Sequence, residues 1–313
     1  MRVVEVTAYG GPEVLRMTRR PEPEAGAVPG KVRVRLKAAG VNQADLRIRA
    51  GKYADMVGSL RPPFVLGTDF AGKLLDHAPG MPPGTRVAGL VPWFESLTGD
   101  GTYAEIIWAD PEWLAPVPDD VEFTVAASLP LASATVEQGL ERLALRPGAT
   151  LLVTGASAVV GRIAVQLAHA AGLRVVAVAH EGDESELRIL GADHVVPRGA
   201  PEDVVAKVLA GEPDGVDGVF DGGLVGDALL PVLKDGGAFA ALAPDRVPAA
   251  GRGIRVEAVR ARPDAARLTE TLRKVADREL ITRVSDVMPL EEVAEAHRRA
   301  EAGHRPGRII LMI

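Results

Sequence analysis

Between two apolar stretches of the chain stands a run of small and β-branched residues, Gly155-Ala-Ser-Ala-Val-Val-Gly161. The stretch before it, Thr150-Leu-Leu-Val-Thr154, is bounded by Pro147-Gly148 and predicts a buried strand. After it, residues 162–171 predict a helix that stops at Gly172, and Arg174-Val-Val-Ala-Val-Ala179 follows as a second strand. A strand–turn–helix–strand unit can hold a pyrophosphate. Small side chains let the backbone approach the phosphates, and the helix N-terminus offers unpaired N–H groups and the positive end of its dipole. The glycine pattern is incomplete: Ala156 and Ala158 stand where G-x-G-x-x-G has glycine, and only Gly161 is in place. Close helix–strand packing alone is the competing reading of the turn. The second strand runs into His180, Glu181, Asp183 and Glu184, where an NAD enzyme places an acid against the ribose hydroxyls.

Other chemistries are excluded by what the chain lacks. With no cysteine there is no disulfide, thiolate zinc site or thiol nucleophile. His77, His169, His194, His297 and His304 show no metal spacing and read as core or surface residues. No EF-hand, Walker or serine-hydrolase pattern occurs. A net charge of −6 and 4% aromatics argue against a nucleic-acid partner. No apolar run is long enough to span a bilayer, and the alternating start, Met1-Arg-Val-Val-Glu-Val-Thr7, lacks a signal-peptide core. The expectation is a cytoplasmic protein with a small-molecule substrate and no membrane partner.

The 313 residues allow two domains. Up to Asp120 the chain reads as all-β, with Lys31-Val-Arg-Val-Arg-Leu-Lys37 alternating strictly and turn residues at short intervals. Beyond it strands and helices alternate, which predicts a mostly parallel sheet. Strands are expected over 151–154, 175–179, 194–196, 218–221, 238–242 and 254–259, with helices over 162–171, 185–190, 202–210 and 227–234. Gly191, Gly211 and Gly236 fall where helix C-caps are expected. A helix capped by Asp264, a strand around 281–287, a helix over 290–302 and a buried strand over 308–313 close the chain. That last strand is expected to return to the first domain.

The segments in this order resemble the medium-chain dehydrogenase/reductase superfamily, and within it the zinc-independent quinone oxidoreductase branch. The likeness rests on Tyr9-Gly-Gly-Pro-Glu-Val-Leu15, Ala38-Ala-Gly-Val-Asn42, Leu66-Gly-Thr-Asp-Phe-Ala-Gly72, Gly101-Thr-Tyr-Ala-Glu105 and Ala126-Ala-Ser-Leu-Pro-Leu131. It continues through Leu145-Arg-Pro-Gly-Ala149, the Gly155–Gly161 turn, Leu190-Gly-Ala-Asp-His194, Pro289-Leu-Glu-Glu-Val-Ala-Glu-Ala-His297 and Gly303 to Leu311, so it spans essentially the whole chain.

The resemblance implies an α/β protein: a GroES-like, β-barrel-like domain over 1–120 and 262–313, plus a Rossmann doubly wound parallel-sheet domain over 121–261. It implies NADPH in the cleft between them, hydride transfer to a quinone or α,β-unsaturated carbonyl, and a homodimer. It places the cofactor on Gly155, Ala156, Ser157, Ala158, Val159, Val160 and Gly161. Asn42 and Tyr53 stand where the family has polar groups by nicotinamide and substrate, Thr135 matches a threonine at the nicotinamide end, and Arg308 matches a basic residue near the pyrophosphate. Each has a plainer reading: a turn residue for Asn42, a packed loop aromatic for Tyr53, a helix-face residue for Thr135 and a solvated surface cation for Arg308. Zinc-dependent relatives carry Cys and His where Asn42 and Thr68 stand here, so no metal is expected.

The chain departs from the branch at Glu137, usually aromatic, and at Arg47, usually tyrosine. Both make the pocket more polar, or pair with each other. Asp183 replaces a lysine that meets the 2′-phosphate of NADPH, while Arg198 replaces a tyrosine beside the adenosine. A guanidinium there can stack on adenine and fork onto phosphate, helped by protonated His180, so NADPH is expected and NADH is left open. A catalytically weak cofactor- or ligand-binding member of the fold is the alternative function. A methyltransferase-type Rossmann domain is a third reading, opposed by the GroES-like first domain.

Overall fold

The computed structural model describes residues 1–58, 60–249, 251–303 and 306–313. They form two compact units, Met1–Leu131 with Arg262–Ile313, and Ala132–Ala261.

In the first unit the alternating stretch becomes strand Val32–Gly40, with Val32, Val34 and Leu36 buried and the basic residues between them outward. It is the centre of the larger sheet, in the order Val284–Pro289, Arg308–Met312, Val32–Gly40, Asp69–Leu74, Arg86–Leu90 and Leu114–Pro116. Strand Ile106–Ala109 also pairs with it. The terminal strand does return here: Ile310 lies opposite Gly40 and Met312 opposite Ala38. Leu15–Arg19, Arg2–Val6 and Phe64–Val65 make a smaller sheet. The region is not wholly β, because after Gly40 the chain turns into helix Gln43–Arg49. The unit extends to Leu131 and does not stop at Asp120. Helix Phe123–Ala126 packs on strands Val32–Gly40 and Asp69–Leu74, and the Leu131 N–H donates to Asp69 Oδ1 at 2.6 Å. The boundary therefore falls inside helix Pro130–Leu143, an element absent from the sequence expectation.

The second unit holds six parallel strands in the order His194–Pro197, Arg174–Ala179, Thr150–Thr154, Val216–Asp221, Leu233–Ala241 and Arg255–Ala258. Numbered along the chain that is 3-2-1-4-5-6, the doubly wound arrangement, with its switch point beside Thr150–Thr154. Helices Val159–Ala170, Glu184–Ile189 and Pro201–Gly211 connect the first strands. The helix expected over 227–234 is instead a 3-10 segment, Gly226–Val232. Pro231 inside it has no N–H to give an α-helical ladder. Gly236 likewise sits within strand Leu233–Ala241, at φ +74°, and not at a helix end.

Towards the C-terminus, Asp264 caps helix Ala265–Ala276 by accepting from the Arg267 N–H at 3.0 Å. Strand Val284–Pro289 and 3-10 turn Leu290–Glu292 lead into helix Val293–Ala302.

Candidate functional site

The glycine-poor turn of the second unit is built by close packing. Gly155 has φ +64°, and a Cβ on it would lie 2.8 Å from Gly222 C and Gly223 N. A Cβ on Gly161 would stand 2.3 Å from Gly155 O, so the helix can approach the strand only because that position is bare. Ala158 is the N-cap, in an extended conformation any residue adopts, and it is exposed. Val159, Val160 and Gly161 begin the helix, and among the described residues their N–H groups make no hydrogen bond. These are the orphan donors at a helix N-terminus, and they fit an anion such as the pyrophosphate of a dinucleotide.

The loop beside the turn is pinned by a buried carboxylate that the sequence reading did not single out. Asp221, at the end of its strand, accepts from Thr154 Oγ1 at 2.6 Å, Val225 N at 3.1 Å and Gly226 N at 2.8 Å. Thr154 Oγ1 in turn accepts from Gly223 N at 2.9 Å. The expected adenosine end lies at the same edge of the sheet. Ser157 Oγ accepts from the His180 N–H at 2.9 Å, and the Arg198 N–H donates to Ala179 O at 2.7 Å. His180 and Arg198 are exposed, as are Glu181 and Glu184, with Asp183 half-buried between them. Thr135 is half-buried on helix Pro130–Leu143.

The first unit brings together Asn42 and Arg308 around two buried carboxylates, Asp45 and Asp69. Asn42 donates Nδ2–H to Thr68 Oγ1 at 3.1 Å and to Asp69 Oδ2 at 2.9 Å, and its backbone N–H to Asp45 Oδ2 at 2.8 Å. Its side chain thus reaches consecutive polar groups at the start of strand Asp69–Leu74 and is not confined to its own turn. Arg308 is buried, unlike a solvated surface cation. Its Nη1 lies 3.9 Å from Asp69 Oδ2 and donates to Val41 O at 3.4 Å. Tyr53 is buried too, its ring edge-on to Phe94 and its hydroxyl accepting from Arg47 Nη1 at 3.1 Å.

Burial pushes the Asp45 carboxyl up to about 7 against the bonds from Asn42 and Tyr103, and Asp45 Oδ1 has no partner among the described residues. Burial also raises Asp69, which Arg308, Asn42 and the Leu131 N–H hold back. Tyr103 donates to Asp45 Oδ2 at 3.1 Å and is itself raised well above the usual phenol range by burial and by Asp45. His297 Nε2 lies 3.2 Å from Tyr103 OH, and burial with Arg49 nearby pushes the imidazole down to about 3. His297 is thus a neutral core histidine, one of the two readings open in the sequence. His304 lies outside the described residues.

Sequence reasoning missed Asp45, Asp69, Tyr103 and Arg49. A signal existed: Asp45 and Arg49 are four apart on one helix face, and Asp69 interrupts the apolar run Phe64 to Ala71. A zinc ion does not fit this donor set. Asn42 presents amide hydrogens to Thr68 and Asp69, and no thiolate is available anywhere in the chain.

The sequence matches two family models, the alcohol dehydrogenase GroES-like domain over residues 28–119 and the zinc-binding dehydrogenase over 190–311. A solved NAD-dependent alcohol dehydrogenase is 31% identical and superposes with a TM-score of 0.85, covering 100% of both chains. The chloroplastic NADPH-dependent alkenal/one oxidoreductase of Arabidopsis thaliana is 28% identical over 97% of this chain and 77% of its own length. The polyketide synthase protein NorB of Streptomyces orinoci is 35% identical over 75% of this chain. This chain spans 10% of that protein's length, and 4% and 5% of two further polyketide synthase components. The chain belongs to the medium-chain dehydrogenase/reductase superfamily of nicotinamide-using oxidoreductases. Among the described residues no helix is long and apolar enough to cross a membrane.

The exposed Ala158 methyl stands at the mouth of the turn. Ala158→Gly is expected to tighten dinucleotide binding by about twofold to fivefold, since the gain in phosphate approach is opposed by glycine's extra flexibility. Fluorescence titration with NADPH checks it; an unchanged or weaker constant means the alanine does not limit approach.

Proposed function

We propose that this chain is an NADPH-dependent, zinc-free oxidoreductase acting on a quinone or an α,β-unsaturated carbonyl. The observation that carries the reading is the row of unbonded N–H groups at Val159, Val160 and Gly161, over a turn whose glycines admit no side chain. Bound there, the cofactor would supply hydride from its nicotinamide. Val159, Val160 and Gly161 would hold the pyrophosphate, and the family resemblance adds Arg308 as a cation for it and Asn42 and Thr135 for the nicotinamide half. Hydride arrival at a conjugated carbon drives negative charge onto the carbonyl oxygen, which needs preorganised hydrogen-bond donors. Polar groups around Asn42 and Tyr53 are the candidates. The names of the relatives support the chemistry: one is an alkenal/one oxidoreductase that uses NADPH, and another an NAD-dependent alcohol dehydrogenase.

The test is steady-state oxidation of NADPH and NADH against a panel of quinones and enones, with melting temperature measured alongside. Turnover of an enone or quinone with NADPH is the expected result. A shifted melting temperature without turnover would favour the catalytically weak ligand-binding member of the fold, and no shift with either cofactor would sink the reading.

The preference for NADPH is assigned to Arg198, whose exposed side chain lies at the same sheet edge as His180 and must outweigh Glu181, Asp183 and Glu184. Arg198→Ala is expected to weaken NADPH about tenfold, the loss of one charge-assisted contact to phosphate, while NADH changes by less than about twofold. Equal loss of both cofactors, or a wild type that prefers NADH, would remove Arg198 from this role.

A further inference from the structure

Asp45 and Arg49 occupy successive turns on one face of helix Gln43–Arg49, and both are buried. His297 and Tyr103 join them. Arg49 Nη1 lies 3.1 Å from His297 Nδ1, His297 Nε2 lies 3.2 Å from Tyr103 OH, and Tyr103 OH meets Asp45 Oδ2 at 3.1 Å. At its outer end Arg49 pairs with Glu301 and donates Nε–H to Gly10 O at 3.1 Å.

The direction of every bond in this row follows from the donor inventory. A guanidinium only donates, so His297 Nδ1 must accept. The neutral ring then carries its hydrogen on Nε2 and donates it to the Tyr103 oxygen. That leaves the phenolic hydrogen for Asp45. All three bonds therefore point one way, from Arg49 towards Asp45, and Asp45 Oδ2 takes a second donor from the Asn42 N–H at 2.8 Å. Asn42 closes the sequence by donating Nδ2–H to Thr68 and Asp69. Because the Thr68 hydroxyl accepts there, its own hydrogen remains available to donate. The charged groups facing Asp45 are Asp69 and Arg308 from neighbouring strands, Arg49 from its own helix, and the polar Tyr103 and His297.

We propose that Arg49, His297, Tyr103 and Asp45 are positioning residues: a one-way hydrogen-bond row that holds Asn42, so that Thr68 keeps a hydroxyl hydrogen for the carbonyl oxygen of the substrate. The role of Thr68 rests on the reductase reading above; the row itself does not. Nothing in it requires transfer of a proton. Asp45 acts as the terminal acceptor, and order at Asn42 is the output. Misplacing a catalytic group by about 1 Å can cost about 100-fold in rate.

Tyr103→Phe keeps the buried ring and removes the central hydrogen bond. It is expected to lower kcat by ~10-fold to 100-fold with KM for cofactor and substrate within about twofold, and to speed amide exchange at Asn42 at least ~10-fold. Thr68→Ser should retain kcat within about threefold, whereas the isosteric Thr68→Val should lose ~10-fold to 100-fold. A folded Tyr103→Phe with wild-type kcat and unchanged exchange at Asn42 overturns the row. Thr68→Val with wild-type kcat overturns the donor. If wild type turns over no carbonyl, the reductase reading and the donor fail together, and exchange at Asn42 in Tyr103→Phe still decides the row. Should Tyr103→Phe not fold, the same exchange measurement on His297→Gln replaces it, with the same two outcomes.

Discussion

Asp45→Asn should make the protein gain stability relative to wild type as pH rises from about 4.5 to 6, and His297→Gln should make it lose stability over the same interval. The unfolded values are 3.8 for the carboxyl and 6.5 for the imidazole, against about 7 and about 3 in the folded protein. Asp45 is raised on folding, so its stabilisation is fully present below 3.8 and is lost as pH rises through about 7. His297 is lowered, so its contribution is fully present above 6.5 and is lost as pH falls through about 3. Between the two unfolded values the folded state holds one proton on Asp45 and the unfolded state holds one on His297. The two slopes cancel in wild type.

Removing either partner exposes the other's slope, about 1.4 kcal/mol per pH unit for one proton. Each variant should therefore diverge from wild type by roughly 2 kcal/mol over the interval, in opposite directions. Both substitutions also disturb buried hydrogen bonds, which lowers stability at every pH, so only the pH dependence is diagnostic. Urea denaturation at pH 4.5 and 6 measures it, and curves that stay parallel for all three proteins would refute the assignment of protons.

Gly161→Ala is the second large effect. In an exposed helix interior this change would stabilise by up to ~1 kcal/mol, because alanine is the better helix former. Here the added methyl would lie 2.3 Å from Gly155 O and 2.6 Å from Ala156 Cα, both backbone atoms of the turn. Backbone cannot rotate away as a flexible side chain can. The helix must back off the strand, carrying the Val159, Val160 and Gly161 N–H groups with it. We expect a loss of at least about 2 kcal/mol, overpacking outweighing propensity, and a dinucleotide affinity reduced by ~100-fold or more. Thermal denaturation and cofactor titration on the purified variant check both; a variant as stable as wild type would show that the turn has room the geometry denies.

The sequence by itself determined the local elements, because their signals are periodic and short-ranged. Alternation from Val32 to Leu36 and apolar runs at Thr150–Thr154 and Arg174–Ala179 report which faces are buried, and they do so without any distant partner. Motif order was enough to place the family, and Asp264 marked its helix start through a hydrogen bond that spans three residues. Two errors were also local in origin: Pro231 turned an expected helix into a 3-10 segment, and helix Pro130–Leu143 went unread. Only the tertiary structure decided the charge chemistry. Asp45, Tyr103 and His297 are separated by 58 and 194 residues, yet they share hydrogen bonds because two helices and the segment before strand Ile106–Ala109 converge on one interior. The same holds for Arg308, matched in sequence to a basic residue near a pyrophosphate with a solvated surface cation as the plainer reading, and buried against Asp69 when its strand pairs beside Val32–Gly40. Desolvation is a property of all the atoms around a group, and no spacing along the chain encodes it.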